Sequence, residues 1–173
     1  LVELLFDAAR KIDDRVTVSQ MLKDQDNQHD TPLHMAVEHR SYDVTKLCIE
    51  EGASVNIPRS SYQTPLHLAA KAGDLAITQL LVERGARVDA LDIDLETPLY
   101  KAASFDHKDV VQYLLEQGAN INRREKDSFS PLLIAACNGH AETVKALLES
   151  GANYLDKDKN DKTALFWAAE EDN

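Results

Sequence analysis

The chain has 173 residues, of which 43% are hydrophobic, a length and content that suit one ordinary domain and argue against a disordered or fibrous protein. Its net charge of −11 and pI near 4.9 exclude nucleic-acid binding by the whole surface, because such a surface repels phosphate backbones. The longest run without a charged residue, 128–141, is well short of the roughly 18 apolar residues that a membrane-spanning helix needs.

The N-terminal stretch 1–6, LVELLF, has the pattern of a helix interior, with no basic and apolar leader in front of it. We therefore expect the chain to be a piece of a longer protein. Aligned with 144–148, this stretch is the second helix of a repeated unit. The connector that follows it is about 11 residues longer than the corresponding connector after Leu148, so it contains an insertion. Within it, 16–22 has the composition for a turn of helix.

A short motif then recurs along the chain. QTPLHLAA at 63–70 has relatives whose first Thr or Ser falls every 33 residues. These positions are Thr31, Thr64, Thr97, Ser130 and Thr163. Thr or Ser can cap a helix by accepting a hydrogen bond from a free backbone N–H, and Pro at the next position loses nothing by lacking a donor. The motif therefore predicts the start of a short helix in each unit.

The end of each unit is marked by Gly followed by Ala, again at 33-residue intervals. These glycines are Gly52, Gly85, Gly118 and Gly151. A Gly just past a helix adopts the left-handed conformation that closes it. Between the two marks, apolar residues at helical spacing predict two amphipathic helices. Asp43, Asp109 and Glu142 fall at the start of the second helix, where negative charge is favourable.

Such a small helix pair cannot bury its own apolar face, so the units must stack side by side around one continuous core. In its period, its Thr-Pro-Leu-His opening and its Gly-Ala turn, the chain closely resembles ankyrin repeats. The resemblance implies an all-α solenoid of helix-turn-helix units with outward fingers that are loops or β-hairpins. The fingers are 57–63, 90–96, 123–129 and 156–162.

The period also sets the boundaries of the units. Residues 1–25 are the end of a preceding repeat plus the irregular insertion. Ankyrin repeats follow at 26–58, 59–91, 92–124 and 125–157, and a truncated repeat occupies 158–173. Because the last unit stops before any second helix, we expect its inner side to be uncovered, which is an aggregation or dimerisation hazard.

Several positions depart from the pattern. Arg40 and Asp106 stand where other units have Gly in the turn between the helices, so a left-handed backbone there would strain each by roughly 1 kcal/mol. A different turn is the alternative. Tyr100, Leu133 and Phe166 replace the His of the motif. Ala164 replaces Pro at the last opening.

The positions of the histidines and cysteines predict structural roles more than metal binding or catalysis. His34 and His67 occupy equivalent positions of stacked units, about 10 Å apart, which is too far to share a metal ion. Cys48 falls in a core register and should be buried and inert. Cys137 falls on a polar register and is a candidate accessible thiol; sensing of electrophiles through it is the less favoured interpretation. With no nucleophile-base set and no phosphate loop, the sequence predicts no enzyme, catalytic residue, metal or cofactor.

Basic residues cluster in two adjacent fingers of this acidic chain. They are Arg123, Arg124, Lys126, Lys157, Lys159 and Lys162. Solvated loop charge is the simpler interpretation. The alternative is a contact surface that faces an acidic partner or a phosphorylated ligand.

A narrower resemblance rests on SFDHKDVVQYL at 104–114, on SPLL at 130–133 and on the long connector before Thr31. These features resemble the ankyrin domain of TRPA channels, the transient receptor potential cation channels of the ankyrin subfamily. The resemblance implies a cytoplasmic module of a homotetrameric, calcium-conducting sensory channel at the plasma membrane, which binds other domains of that channel. The alternative is a soluble ankyrin scaffold that binds another protein through its concave face.

Overall fold

A computed structural model describes residues 1–11 and 15–171, in which the chain forms eleven α-helices. Helices α1 and α2 precede the regular units, α3 to α10 form four pairs, and α11 begins the last unit. The bounds are α1 Val2–Lys11, α2 Arg15–Met21, α3 Pro32–Glu38, α4 Tyr42–Glu50, α5 Pro65–Ala72, α6 Leu75–Glu83, α7 Pro98–Ser104, α8 Lys108–Glu116, α9 Pro131–Cys137, α10 Ala141–Glu149 and α11 Ala164–Glu171. None of these described helices is long and apolar enough to cross a bilayer.

The first helix of each unit begins where the repeated motif predicts. Pro is the first residue of α3, α5, α7 and α9, and the Thr or Ser before it is the N-cap in an extended conformation. The Thr97 side chain accepts from the N–H of Tyr100 at 3.1 Å, and Ser130 accepts from that of Leu133 at 3.3 Å. These bonds satisfy backbone donors that have no partner within the helix. Helix α11 begins at Ala164 without a Pro.

The second helices, α4, α6, α8 and α10, have nine residues each. Asp43, Asp109 and Glu142 lie in the first turns of α4, α8 and α10, as predicted. In α6 the N-cap Asp74 supplies the acidic group instead, and its side chain accepts from the N–H of Ile77 at 3.0 Å. Each second helix therefore has a negative charge at its positive end.

Extensive helix contacts join helices of the same unit or of neighbouring units. Helices α3, α5, α7, α9 and α11 pack side by side in one layer, and α4, α6, α8 and α10 form a second layer. Apolar side chains from both layers form one cluster that runs from Phe6 to Ala152. The fold is thus the predicted all-α solenoid, stabilised by contacts between nearest neighbours.

The turn between the two helices of a unit contains one left-handed residue, with φ between 53° and 70°. These residues are Arg40, Gly73, Asp106 and Gly139. Of the two alternatives for Arg40 and Asp106, the left-handed turn is therefore correct. The Asp106 carboxylate accepts from the Thr143 hydroxyl at 2.8 Å, and Nε of Arg40 lies 3.6 Å from Oδ2 of Asp74. Both contacts reach the next unit and offset part of the strain.

The fingers are loops, which is one of the two forms the sequence allowed. Among the described residues, one isolated antiparallel bridge, between Lys157 and Thr163, is the only β-pairing. The corresponding loop before Thr31, 24–30, is counted here as a fifth finger. Each of the five fingers contains a left-handed residue with φ between 60° and 68°, and none of these is Gly. They are His29, Tyr62, Leu95, Ser128 and Asp161.

The N-terminal segment packs on the first regular unit. Phe6, Val18 and Leu22 are buried in the same core cluster as the repeats. Helix α2 covers the part of the connector for which the sequence predicts a turn of helix. The insertion therefore adds a short helix ahead of the first regular unit.

The last unit has an uncovered apolar side, as expected. Leu165 occupies the register of the buried Leu132, yet it is 79% exposed. Leu148, Tyr154 and Leu155 are also exposed nearby in the sequence. No described helix packs on this side of α11.

Gly73 provides a test of the contacts between units. A Cβ on Gly73 would lie 2.3 Å from Nδ1 of His107, whose Nε2 donates to the Lys71 carbonyl at 2.9 Å. Gly73→Ala should displace the His107 ring and break that bond. We expect the free energy of unfolding in urea to fall by about 2 kcal/mol, from left-handed strain plus the lost hydrogen bond.

The matched control is Gly85→Ala. Gly85 is also left-handed, with φ 86°, but its added Cβ would meet nothing within 4 Å. This variant should lose only the strain, about 1 kcal/mol. Equal losses in the two variants would contradict a structural role for the His107 contact.

Candidate protein-binding face

The fingers and the first helices share one face of the array, which we call the inner face. Nη1 of Arg59 lies 3.7 Å from Oε1 of Glu38, and Nζ of Lys162 lies 4.1 Å from the centre of the Trp167 ring. Side chains that are exposed or half-buried on this face change in chemistry from unit to unit. They include Met35, Glu38, Lys71, Phe105, Ile134, Cys137 and Trp167.

A side-chain carboxylate shapes four of the five fingers. Oδ1 of Asp92 accepts from the N–H of Asp94 at 2.9 Å and from that of Glu96 at 3.0 Å. The same pattern, two and four residues ahead, recurs at Asp26, Glu125 and Asp158. Arg59 stands at this position in the remaining finger, and its guanidinium bonds the Gln63 side chain at 2.7 Å instead. In the sequence these carboxylates look like solvated loop charge, and the signal for their role is that they keep the 33-residue period.

Successive fingers are joined by backbone hydrogen bonds between residues 32 positions apart. The N–H of Ser60 donates to the carbonyl of Gln28 at 3.0 Å, Ile93 to Ser61 at 2.9 Å, Lys126 to Asp94 at 3.1 Å and Lys159 to Asp127 at 3.4 Å. We call this series the finger ladder. It fixes the spacing between the loops, which the loop sequences do not predict.

The basic finger residues lie beside acidic residues of the neighbouring finger. Nζ of Lys126 lies 3.2 Å from Oδ1 of Asp94, and Nζ of Lys159 lies 2.7 Å from Oδ1 of Asp127. The second hydrogen bond raises the pKa of Lys159 above its ordinary value. Both pairs are exposed and follow the finger ladder.

The other basic residues of the candidate contact surface have separate surroundings. Arg124 bonds the buried Asp156 at 2.8 Å, and Lys157 lies 3.6 Å from Asp161. Lys162 lies 3.2 Å from Glu170 and over two aromatic rings of α11. Arg123 is exposed, and it forms no ion pair with any described residue. The six residues thus form a strip of mixed charge, and their role in binding stays a prediction.

Asp92, Asp94 and Glu96 are the described acidic residues whose oxygens lie close enough together to share a cation. The Lys101 ammonium already pairs with two of them: its Nζ lies 3.0 Å from Oδ2 of Asp92 and also contacts Glu96. The Gln63 amide adds a hydrogen bond to Asp92 at 3.3 Å. Because the carboxylates already have these partners, the cluster is explained as part of a structural ion pair.

His34 and His67 have the structural role that the sequence predicts. The Thr64 N–H donates to Nδ1 of His67 at 3.1 Å, so the opposite nitrogen carries the proton and donates to the Glu96 carbonyl at 3.1 Å. His34 makes the same local bond to the Thr31 N–H at 3.1 Å. Burial lowers the pKa of both rings, to about 4 for His67.

His67 therefore makes stability depend on pH. Its pKa is 6.5 in a solvated chain and about 4 when folded, so the unfolded state binds more protons between these values. The stability from the neutral ring is fully present above pH 6.5. We expect it to be lost as pH falls towards 4, by up to about 3 kcal/mol.

Urea unfolding across this pH range tests the expectation. His67→Gln should flatten the decline in unfolding free energy relative to the unchanged chain. His39→Gln, at an exposed histidine, should leave the decline as it is. A decline that His67→Gln does not alter would show that other groups cause it.

The two cysteines differ in burial. Cys48 is 1% exposed, and burial raises the pKa of its thiol. Cys137 is half-buried at the end of α9, on the inner face, and neither residue forms a disulfide. The candidate accessible thiol thus borders the surface of interest, and its reactivity stays a prediction.

Family models for ankyrin repeats match most of the regular units. The model for three copies matches residues 58–125, and the model for many copies matches 33–82 and 103–148, more than half of the chain. The chain belongs to the ankyrin-repeat family. No curated protein matches it significantly. Ankyrin-repeat domains are typically non-catalytic modules for protein interaction, and the solenoid with its varied inner face is of this class.

Proposed function

We propose that this chain binds protein partners through its inner face, which corresponds to the concave face in the family. The observation that carries the proposal is a contrast within each unit. Leu33, Leu66, Leu99 and Leu132 repeat unchanged and are buried in the core. The position two residues after them varies in chemistry and in burial: Met35 is exposed, Lys101, Ile134 and Trp167 are half-buried, and Leu68 is buried. A frame that repeats while its surface varies is suited to specific recognition.

We further propose that the chain is the cytoplasmic ankyrin region of a TRPA-like, non-selective cation channel. In that role the partners are other domains of the same homotetramer, and the array takes part in assembly and stimulus-dependent gating. The support is the resemblance at 104–114 and 130–133, together with the insertion before Thr31. Within 104–114, the turn between α7 and α8 reaches both neighbouring units: His107 donates to the Lys71 carbonyl, and Asp106 accepts from the Thr143 hydroxyl.

These contacts suit a module that transmits small movements. Because each unit contacts its neighbours, slight rotations at each interface add up along the array. The alternative is a soluble scaffold whose partner is a separate protein. The varied inner face supports a soluble scaffold as well as it supports a channel module, because binding through this face does not require a pore.

Transcript sequencing and channel recordings separate the two functions. If the channel proposal is correct, the reading frame beyond this chain encodes six apolar helices. In that parent channel, Leu81→Ala should lower array stability by about 3 kcal/mol, because Leu81 is fully buried, and it should shift activation. Leu148→Ala, at a leucine that is 43% exposed, is the matched control and should shift activation far less. A frame without a pore would assign the chain to the soluble scaffold.

Charge reversal tests whether the fingers belong to the binding surface. Replacing Arg123, Arg124 and Lys126 by Glu should weaken binding to the parent's other cytoplasmic segments and reduce its salt dependence. Replacing Lys145 by Glu, on the exposed side of α10, provides the control. Unchanged binding in the finger variant would place the contact elsewhere on the inner face.

A further inference from the structure

A pocket of about 420 Å³ opens on the inner face between the fingers 90–96 and 123–129. Its floor is formed by Tyr100 of α7 and Ile134 of α9, and its rim includes Glu96, Glu125 and Phe129. The two units that enclose it are held together by the finger ladder and by the packing of α7 on α9. The pocket is therefore a feature of the assembled array and not of one repeat.

Tyr100 is the unusual residue of this pocket. It occupies the position of His34 and His67, whose rings bond the Thr of their own repeat. Only the backbone N–H of Tyr100 bonds Thr97, at 3.1 Å. Its side chain is 7% exposed and lines the pocket, and its hydroxyl has no hydrogen-bond partner among the described residues. The oxygen is not among the fully enclosed atoms that have no partner, so it reaches the space of the pocket, where a hydroxyl can exchange a hydrogen bond with a ligand group.

The pocket carries uncompensated negative charge. The carboxylates that line it are Asp94, Glu96, Glu125 and Asp127, with Asp92 close to the first two. The ammonium groups that pair with these carboxylates are Lys101, Lys159 and Lys126, and Lys126 itself lines the pocket. Glu125 is the carboxylate that pairs with no Lys or Arg of the described chain; its oxygens accept the backbone N–H groups of 127 and 129. Burial first, and then the charge of Glu125, raise the pKa of Tyr100, so the hydroxyl keeps its proton. An anionic ligand would be repelled here.

The apolar part of the lining restricts the chemical class of the ligand further. The Phe129 ring and the Ile134 side chain, both half-buried, border the same space as the Tyr100 hydroxyl. A guanidinium group stacks on an aromatic ring, donates to carboxylates in several directions and carries an aliphatic stem. A lysine ammonium can also pair with carboxylates, but it gains less than a guanidinium from lying on the face of an aromatic ring.

We propose that this pocket receives an arginine side chain from a basic segment of the protein partner. The guanidinium donates to Glu125 and to the oxygen of Tyr100, and the aliphatic stem lies along Phe129 and Ile134. The inference rests on the proposed function, in that it identifies the partner chemistry at one place of the inner face.

The test uses the whole chain and three short peptides that differ at one position, which is arginine, citrulline or lysine. The probe is N-acetyl-Gly-Arg-Gly-amide, and the reference is the same peptide with citrulline, which has the shape of arginine without its charge. Titration is followed by two-dimensional ¹H–¹⁵N NMR. We expect the arginine peptide to shift the amide signals of Tyr100, Phe129 and Ile134 with a Kd in the millimolar range, and citrulline to bind about tenfold more weakly.

Two variants connect the binding to the pocket. Tyr100→Phe removes the hydroxyl alone and should weaken the arginine peptide about threefold to tenfold. Glu125→Gln keeps an acceptor for the finger amides and removes the charge, so it should weaken binding to a similar extent, and it provides a second reading if Tyr100→Phe is unstable. Tyr113→Phe, on α8 of the other layer, is the matched control and should change nothing.

The outcomes are distinct. Equal binding of arginine and citrulline, no shifts in the millimolar range, or shifts confined to other parts of the chain would overturn the proposal. So would a lysine peptide that binds as tightly as the arginine peptide. If these failures occur while the parent's cytoplasmic segments still bind the inner face, the pocket assignment falls and the proposed function stands.

Discussion

Contact between neighbouring units is the constraint on which the rest of this structure depends. A pair of short helices exposes an apolar side that only another pair can cover. The same register shows both situations: Leu99 and Leu132 are fully buried between units, whereas Leu165 on α11 is 79% exposed. The difference lies in the presence of a neighbour, since the residue and its helix are equivalent. Stability in this fold is therefore shared along the array.

The repeated frame is predictable because its chemistry leaves few choices. A capping Thr or Ser followed by Pro starts a helix, and Gly ends one, so Thr97 and Gly85 are recognisable without any structure. Arg40 and Asp106 stand at the same place in the frame as Gly73 and Gly139, and this place indicates a left-handed turn even though their residue types do not. Position in the repeat thus carried more information than local propensity.

The fingers were harder to predict for a physical reason. A carboxylate such as Glu125 looks like solvated charge, and only the folded loop shows that it accepts two backbone N–H groups. The left-handed Tyr62 and Leu95 have no residue signature at all. The basic residues of the last fingers appeared as one patch, but Lys126 and Lys159 face acidic groups of the preceding loop. Pairing across units is invisible in a linear pattern.

The finger ladder has a mechanical meaning. Each of its hydrogen bonds connects one loop to the next, so a force that stretches the array loads this edge in parallel with the helix layers. A second series of bonds joins successive units just after the second helices, where the N–H groups of Arg87, Asn120 and Asn153 donate to the side chains of Asn56, Asp89 and Asn122. These bonds depend on a side-chain rotamer that can change, whereas the finger ladder joins backbone to backbone. Extension should therefore be resisted more strongly on the finger side, and a stretched array should change its curvature as it lengthens.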